Sequence, residues 1–281
     1  MTYLRKPEWL KTKMQSNAQF VKVNNIVIEH GLHTICSSGR CPNMSECWNK
    51  GTATFMILGE ICTRSCRFCN TLSGRPLPPD PEEPKKVADS IRLMKLQHAV
   101  ITSVDRDDLP DGGANQWAET IKLIKTVNPN TTLEVLIPDF DGKTDLIDLI
   151  IDEKPNIISH NLETVKRLTT SIRTKAKYET SLKVLAYISS QNTVAKTGIM
   201  LGFGETENEV LALMDDALKA GCSILTIGQY MQPSRNNIAV SDYITPQKFE
   251  EYKQIGLQKG FRQVESAPLV RSSYCAEKHI L

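Results

Sequence analysis

From residue 51 onward, short apolar runs alternate with longer stretches in which apolar residues recur at helical spacing. The runs at 54–58, 99–103, 133–137, 157–160, 198–201 and 224–228 read as strands. The stretches 84–96, 114–127, 143–152, 162–169, 178–189, 205–220 and 246–259 read as helices. Segment 181–189 is ambiguous in isolation, and the spacing of Leu182, Leu185 and Ala186 favours a helix. Near-continuous apolar strands that alternate with amphipathic helices predict an α/β fold with a parallel sheet covered on both faces. Six βα units with right-handed crossovers build either a partial (βα)6 barrel or an open doubly wound sheet. Both place an active site at the C-terminal ends of the strands. Residues 1–50 read as irregular and polar, with one apolar stretch at 21–28. The Pro-rich segment 75–84 is too short for a domain linker and joins the loop after the first strand to its helix.

Composition narrows the class. A chain of 281 residues with 40% hydrophobic and 6% aromatic residues has enough apolar material for a substantial soluble core. The net charge of +2 and the lack of a basic stripe argue against a nucleic-acid partner. No run approaches the roughly eighteen apolar residues that span a bilayer. The start, MTYLRKPEWLKTKM, has no apolar signal region and carries Glu8. A cytoplasmic protein without a membrane partner is expected. In that compartment eight cysteines point to metal binding or catalysis rather than disulfides. Six lie between Cys36 and Cys69; Cys222, beside a strand, reads as a small buried hydrophobe, and Cys275 stands near the end.

Cys62, Cys66 and Cys69 form a C-x3-C-x2-C triplet directly after the first strand, at the predicted mouth of the sheet. Three thiolates can hold three irons of a cubane cluster. The fourth iron is then open to the N and O donors of a small molecule, the arrangement radical S-adenosylmethionine (SAM) chemistry requires. A zinc knuckle is the alternative, but zinc takes four ligands and no fourth Cys or His is close in sequence, His98 being a strand away. Phe68, between the last two cysteines, is placed to pack near cluster and adenine, or is an ordinary core aromatic. The second triplet, Cys36, Cys41 and Cys47 in a C-x4-C-x5-C pattern, is compatible with a zinc loop, reactive thiols or a second cluster. Beside a radical SAM triplet the second cluster is favoured. Polar residues at the predicted strand ends are candidates for SAM contacts: Ser103, Asn161, Glu163, Arg173 and Gln229, each with a helix cap or surface group as its plainer reading. The Asp111-Gly112-Gly113 turn could also approach a ligand closely.

The chain resembles the lipoyl synthase family nearly end to end. The resemblance is carried by both triplets and by RKPEWLK at 5–11, GRP at 74–76, ITSVDRDDLPDGGA at 101–114 and EVLIPDF at 134–140. It continues in HNLETV at 160–165, KTGIMLG at 196–202, TIGQYMQPSR at 226–235 and RSSY at 271–274. It implies a partial (βα)6 radical SAM barrel at 51–265, an N-terminal extension at 1–50 and a C-terminal tail at 266–281 that together hold an auxiliary cluster. Two [4Fe-4S] clusters and SAM follow: Cys62, Cys66 and Cys69 on the SAM-binding cluster, and Cys36, Cys41 and Cys47 on the auxiliary one. A serine of the RSSY block, Ser273 in preference to Ser272, is the auxiliary cluster's fourth ligand. An oxygen ligand is hard and weakly held among soft thiolates, which suits a cluster dismantled to supply sulfur. The implied activity is sulfur insertion at C6 and C8 of a protein-bound octanoyl-lysine. The implied partners are a lipoyl domain of a 2-oxoacid dehydrogenase complex or the glycine-cleavage H protein, and a ferredoxin or flavodoxin reductant. Cys275 departs from the family, which commonly has His or a basic residue there, and is read as a bystander. The competing readings are a methylthiotransferase and a non-catalytic metal-binding module.

Overall fold

The computed structural model describes residues 4–12 and 15–280. Its ten strands are β1 (His33–Thr34), β2 (Thr54–Ile57), β3 (Ile61–Cys62), β4 (Leu72–Ser73), β5 (His98–Ser103), β6 (Thr132–Leu136), β7 (Ile157–Ser159), β8 (Val194–Leu201), β9 (Ile224–Gln229) and β10 (Gln263–Ser266). The helices are α1 (Ala18–Glu29), α2 (Ile35–Ser38), α3 (Met44–Asn49), α4 (Glu83–Met94), α5 (Ala114–Val127), α6 (Thr144–Ile151), α7 (Lys166–Ile172), α8 (Tyr178–Ser190), α9 (Glu207–Lys219) and α10 (Pro246–Lys259). The main sheet runs β1-β2-β5-β6-β7-β8-β9-β10, parallel throughout except for β1. Each parallel strand is added on the same side of the last. That order distinguishes the two architectures left open by the sequence, because a doubly wound sheet reverses direction at a switch point. The result is a partial barrel of six βα units followed by a seventh strand, β10.

All six expected strands form, and α8 resolves the ambiguous segment as a helix. Alternation along the strands sorts side chains to two faces. Thr54, Met56 and Thr102 line the bore, while Phe55, Ile57 and Ile101 between them are fully buried in the core of sheet and helices.

The expectation of an irregular N-terminal segment is corrected. Val23, Ile26 and Val27 bury one stripe of α1, and the Asn17 side chain caps it by accepting from the Phe20 amide at 2.9 Å. Phe20 packs on Trp48 of α3 with ring centroids 5.1 Å apart. β1 then adds an antiparallel edge to β2, so this segment is stitched onto the barrel.

Candidate active site

The first loop of the barrel carries Cys62, Cys66 and Cys69. It is closed at its base by the short parallel pair β3–β4 and by the Gly74 amide donating to the Cys62 carbonyl at 3.0 Å. Arg64, inside the triplet, clamps the loop from below. Its buried guanidinium forks onto Asp107 at 2.9 and 2.9 Å and onto Asp139 at 2.8 and 3.0 Å, and it pairs with Asp105 at 3.3 Å. Burial opposes ionisation of Asp107, but hydrogen bonds from Arg64 and Lys175 outweigh it and hold this carboxyl well below the usual range. Asp105 and Asp107 of the DRDD block thus anchor the cysteine loop. Backbone amides of Arg64 and Asp105 point at the Cys62 sulfur, at 3.4 and 3.3 Å. Asn237 donates to the Cys69 carbonyl at 2.8 Å, and Asn70 donates to the Ser38 carbonyl at 2.8 Å, tying this loop to the first triplet.

A cavity of about 340 Å³ fills the mouth of the barrel. Cys62, Cys66 and Cys69 line it from one side and Cys36 and Cys41 from the other. Four of the five positional candidates for SAM contacts reach it: Ser103, Asn161, Glu163 and Arg173, with Phe68 beside them. The Ser103 hydroxyl is buried without a partner. Asn161 is not a helix cap, since α7 begins at Lys166 behind Val165; its amide instead donates to Glu163 at 3.0 Å. Glu163 holds a left-handed backbone (φ 65°) and is half-buried at the cavity wall; its desolvation there raises its pKa against the opposing pull of Arg173, Asn161 and Arg271. Arg173 commits one nitrogen to the Ser181 hydroxyl at 3.0 Å and to nearby carbonyls.

Gln229 is a correction. It is fully buried and absent from the cavity lining. Its amide nitrogen, with two hydrogens to give, lies 3.0 Å from each of the carbonyls of Leu201, Tyr230 and Asp242, and its oxygen accepts from the Ile244 amide at 2.8 Å. With both ends used on backbone it braces the loop after β9.

A second cavity of about 60 Å³ is lined by Cys36, Cys41 and Cys47 together with Ser273 and Cys275. Ser273 borders both cavities. Ser272 turns the other way, its hydroxyl donating to Asn161 at 2.9 Å. Cys275 reaches this cage on a left-handed backbone (φ 51°). Sequence reasoning missed Arg64, Arg271 and His160. Arg271 borders both cavities, within electrostatic reach of Cys41 and Glu163. His160 donates from Nδ1 to the Ile137 carbonyl, and burial followed by the charge of Arg173 pushes its pKa down to about 4. It is neutral at the cavity wall.

Among the described residues, no three His, Cys, Asp or Glu side chains converge on a single ion position. Each triplet instead borders a cavity, as a cluster several ångströms across needs and a tetrahedral zinc site does not. The donors of each triplet are soft sulfurs. Burial pushes the Cys62 and Cys47 thiols up to about 12, so loading must displace their protons. The residues present therefore fit two iron–sulfur clusters.

A parallel partial barrel with an open three-thiol loop at its mouth defines a radical SAM protein, and the radical SAM superfamily matches residues 56–217. Among solved structures, methylornithine synthase (PylB) shares the fold with a TM-score of 0.60 at 11% identity, over 86% of this chain and 74% of that one. The hydrogenase maturase HydG from Carboxydothermus hydrogenoformans does so with a TM-score of 0.59 at 12% identity, over 92% of this chain and 77% of that one. Within that superfamily the chain belongs to the lipoyl synthase family. It is 66% identical to the lipoyl synthase of Parabacteroides distasonis over 99% of both chains, and 64% identical to that of Phocaeicola vulgatus over 100% of this chain and 99% of that one. That of Treponema denticola is 57% identical over 99% of this chain and 96% of that one.

Proposed function

We propose that Cys62, Cys66 and Cys69 hold the SAM-binding cluster and that Cys36, Cys41, Cys47 and Ser273 hold the auxiliary cluster, in an enzyme that inserts two sulfurs at C6 and C8 of a protein-bound octanoyl-lysine. The observation that carries this reading is the shared cavity: cysteines of both triplets open onto the same 340 Å³ space. When bound, the two clusters and SAM supply a carbon radical that abstracts hydrogen from an unactivated C–H bond, and the sulfur that replaces it. The chain's own residues orient and enclose. Arg64 fixes the cysteine loop, and Ser103, Asn161 and Glu163 offer polar groups to SAM on the barrel side. Met56, Leu136, Ile199 and Met200 give the cavity an apolar wall suited to an alkyl chain. Residues 1–50 and 266–281 serve as extensions that carry the auxiliary site beside a barrel at 51–265.

The carriers we propose are a lipoyl domain of a 2-oxoacid dehydrogenase complex or the glycine-cleavage H protein, with a ferredoxin or flavodoxin as reductant. No helix among the described residues is long and apolar enough to cross a membrane. The test is anaerobic turnover of an octanoyl-lysine peptide with reconstituted enzyme. Two SAM consumed per product carrying two sulfurs is expected; 5′-deoxyadenosine released without sulfur in the peptide would refute it.

A further inference from the structure

Below the cavity the bore holds a fully buried ion pair. Lys196 of β8 contacts both carboxylate oxygens of Glu134 of β6, at 2.7 and 2.9 Å, and both side chains are 0% exposed. An isolated salt bridge at this depth recovers little of its desolvation cost, and neither residue reaches the cavity lining. The other contacts of Lys196 give the pair a purpose. The ammonium donates to the Ser272 carbonyl at 2.6 Å and to Nδ1 of His279 at 3.0 Å, and His279 is itself fully buried. An ammonium has three donors. Here they are shared between the Glu134 carboxylate and two acceptors of the C-terminal tail, at points that bracket Ser273.

The strands are shaped for the same tail. A Cβ on Gly228 of β9 would stand 2.0 Å from the Val270 carbonyl oxygen, and one on Gly198 of β8 would stand 2.9 Å from the Ser272 hydroxyl. Arg262 adds a bond to the His279 carbonyl at 3.1 Å. Burial opposes ionisation of Glu134. The charge of Lys196 and hydrogen bonds from Lys196 and Ser159 outweigh that and hold its pKa at about 2.

We propose that the Glu134–Lys196 pair is a socket that docks the C-terminal tail, and that Lys196 is a positioning residue that sets Ser273 across the auxiliary cysteine cage. The second half rests on the reading of Ser273 given above; the first half stands on the contacts alone. Removing Lys196 by itself strands a buried carboxylate and endangers folding. The informative variant therefore replaces both members by apolar residues, Glu134→Leu with Lys196→Met. Hydrogen exchange of the reconstituted full chain, followed by mass spectrometry, should show amides 271–280 exchanging about tenfold or more faster, while the barrel strands stay protected. The auxiliary cluster's electron paramagnetic resonance spectrum should shift to that of Ser273→Ala. Combining Ser273→Ala with the socket variant should add nothing further, as residues acting through one contact are non-additive. Tail exchange at the parent rate would overturn the socket. A freed tail with a parent-like spectrum and product yield would overturn the positioning role. Ser273→Ala alone separates the two ideas: a parent-like spectrum there removes the ligand reading, while the exchange result still decides the socket.

Discussion

Arg64→Met should release the cysteine loop. Arg64 makes hydrogen bonds of 2.8–3.0 Å to two carboxylates and pairs with a third. Methionine fills a similar volume but leaves Asp105 and Asp139 without their cation and Asp107 with Lys175 alone. Breaking a buried pair from one side costs about 3–5 kcal/mol. The Asp107 side chain is 23% exposed and can rehydrate, so the low end, about 3 kcal/mol, is the expected loss. For a domain of this class that is about 6–12 °C in Tm. Arg64→Lys keeps the charge but cannot fork onto two carboxylates, and should lie between parent and Met. The assay is thermal unfolding by circular dichroism, paired with iron and sulfide content after anaerobic reconstitution. The Met variant should also lose the cluster of the 62–69 loop in preference to the auxiliary one. A Tm within about 1 °C of the parent with both clusters intact would refute the clamp.

Further outcomes follow from the site. Replacing Cys62, Cys66 and Cys69 together by Ala should leave one four-iron cluster and abolish 5′-deoxyadenosine formation; retained cleavage of SAM would reverse the assignment of the two triplets. Cys36→Ala, Cys41→Ala and Cys47→Ala should keep SAM cleavage and lose sulfur insertion, and enzyme built with heavy-isotope sulfide should pass the label to product. Cys275→Ala should retain both clusters and product formation while Ser273→Ala assembles the auxiliary cluster poorly, as read by iron analysis and product mass; the opposite pattern would make the thiol the ligand. Gly228→Ala should push the tail backbone out of the bore and expose residues near 271 to trypsin, whereas an uncleaved tail would show that the strand can yield instead.

The barrel was legible because each strand carries its own apolar run, a signal confined to a few neighbours in sequence. The cysteine loop was legible for the same reason, its three thiols lying within eight residues. β10 was not, because only Val264 and Ser266 of its four residues are buried. α1 was passed over although Val23, Ile26 and Val27 already had helical spacing, since its exposed Val21 and Ile28 blurred the stripe. Gln229 misled because a strand-end amide looks alike whether it faces a ligand or closes a loop. Arg64 with Asp139, and Glu134 with Lys196 and His279, were invisible in principle. Each set joins residues 62 to 83 positions apart, and nothing local marks a charged residue as paired.

The thread of tail through the bore also dictates an order of manufacture. Ser273 and His279 leave the ribosome only after every strand from β2 to β10 has been made. The 62–69 loop and the three carboxylates that hold Arg64, at 105, 107 and 139, emerge much earlier, with the Asn237 tie following later. The nascent chain can therefore close the first cysteine loop while the second cage still lacks its wall. The tail that carries Ser273 is thus the last wall of the second cage to be made.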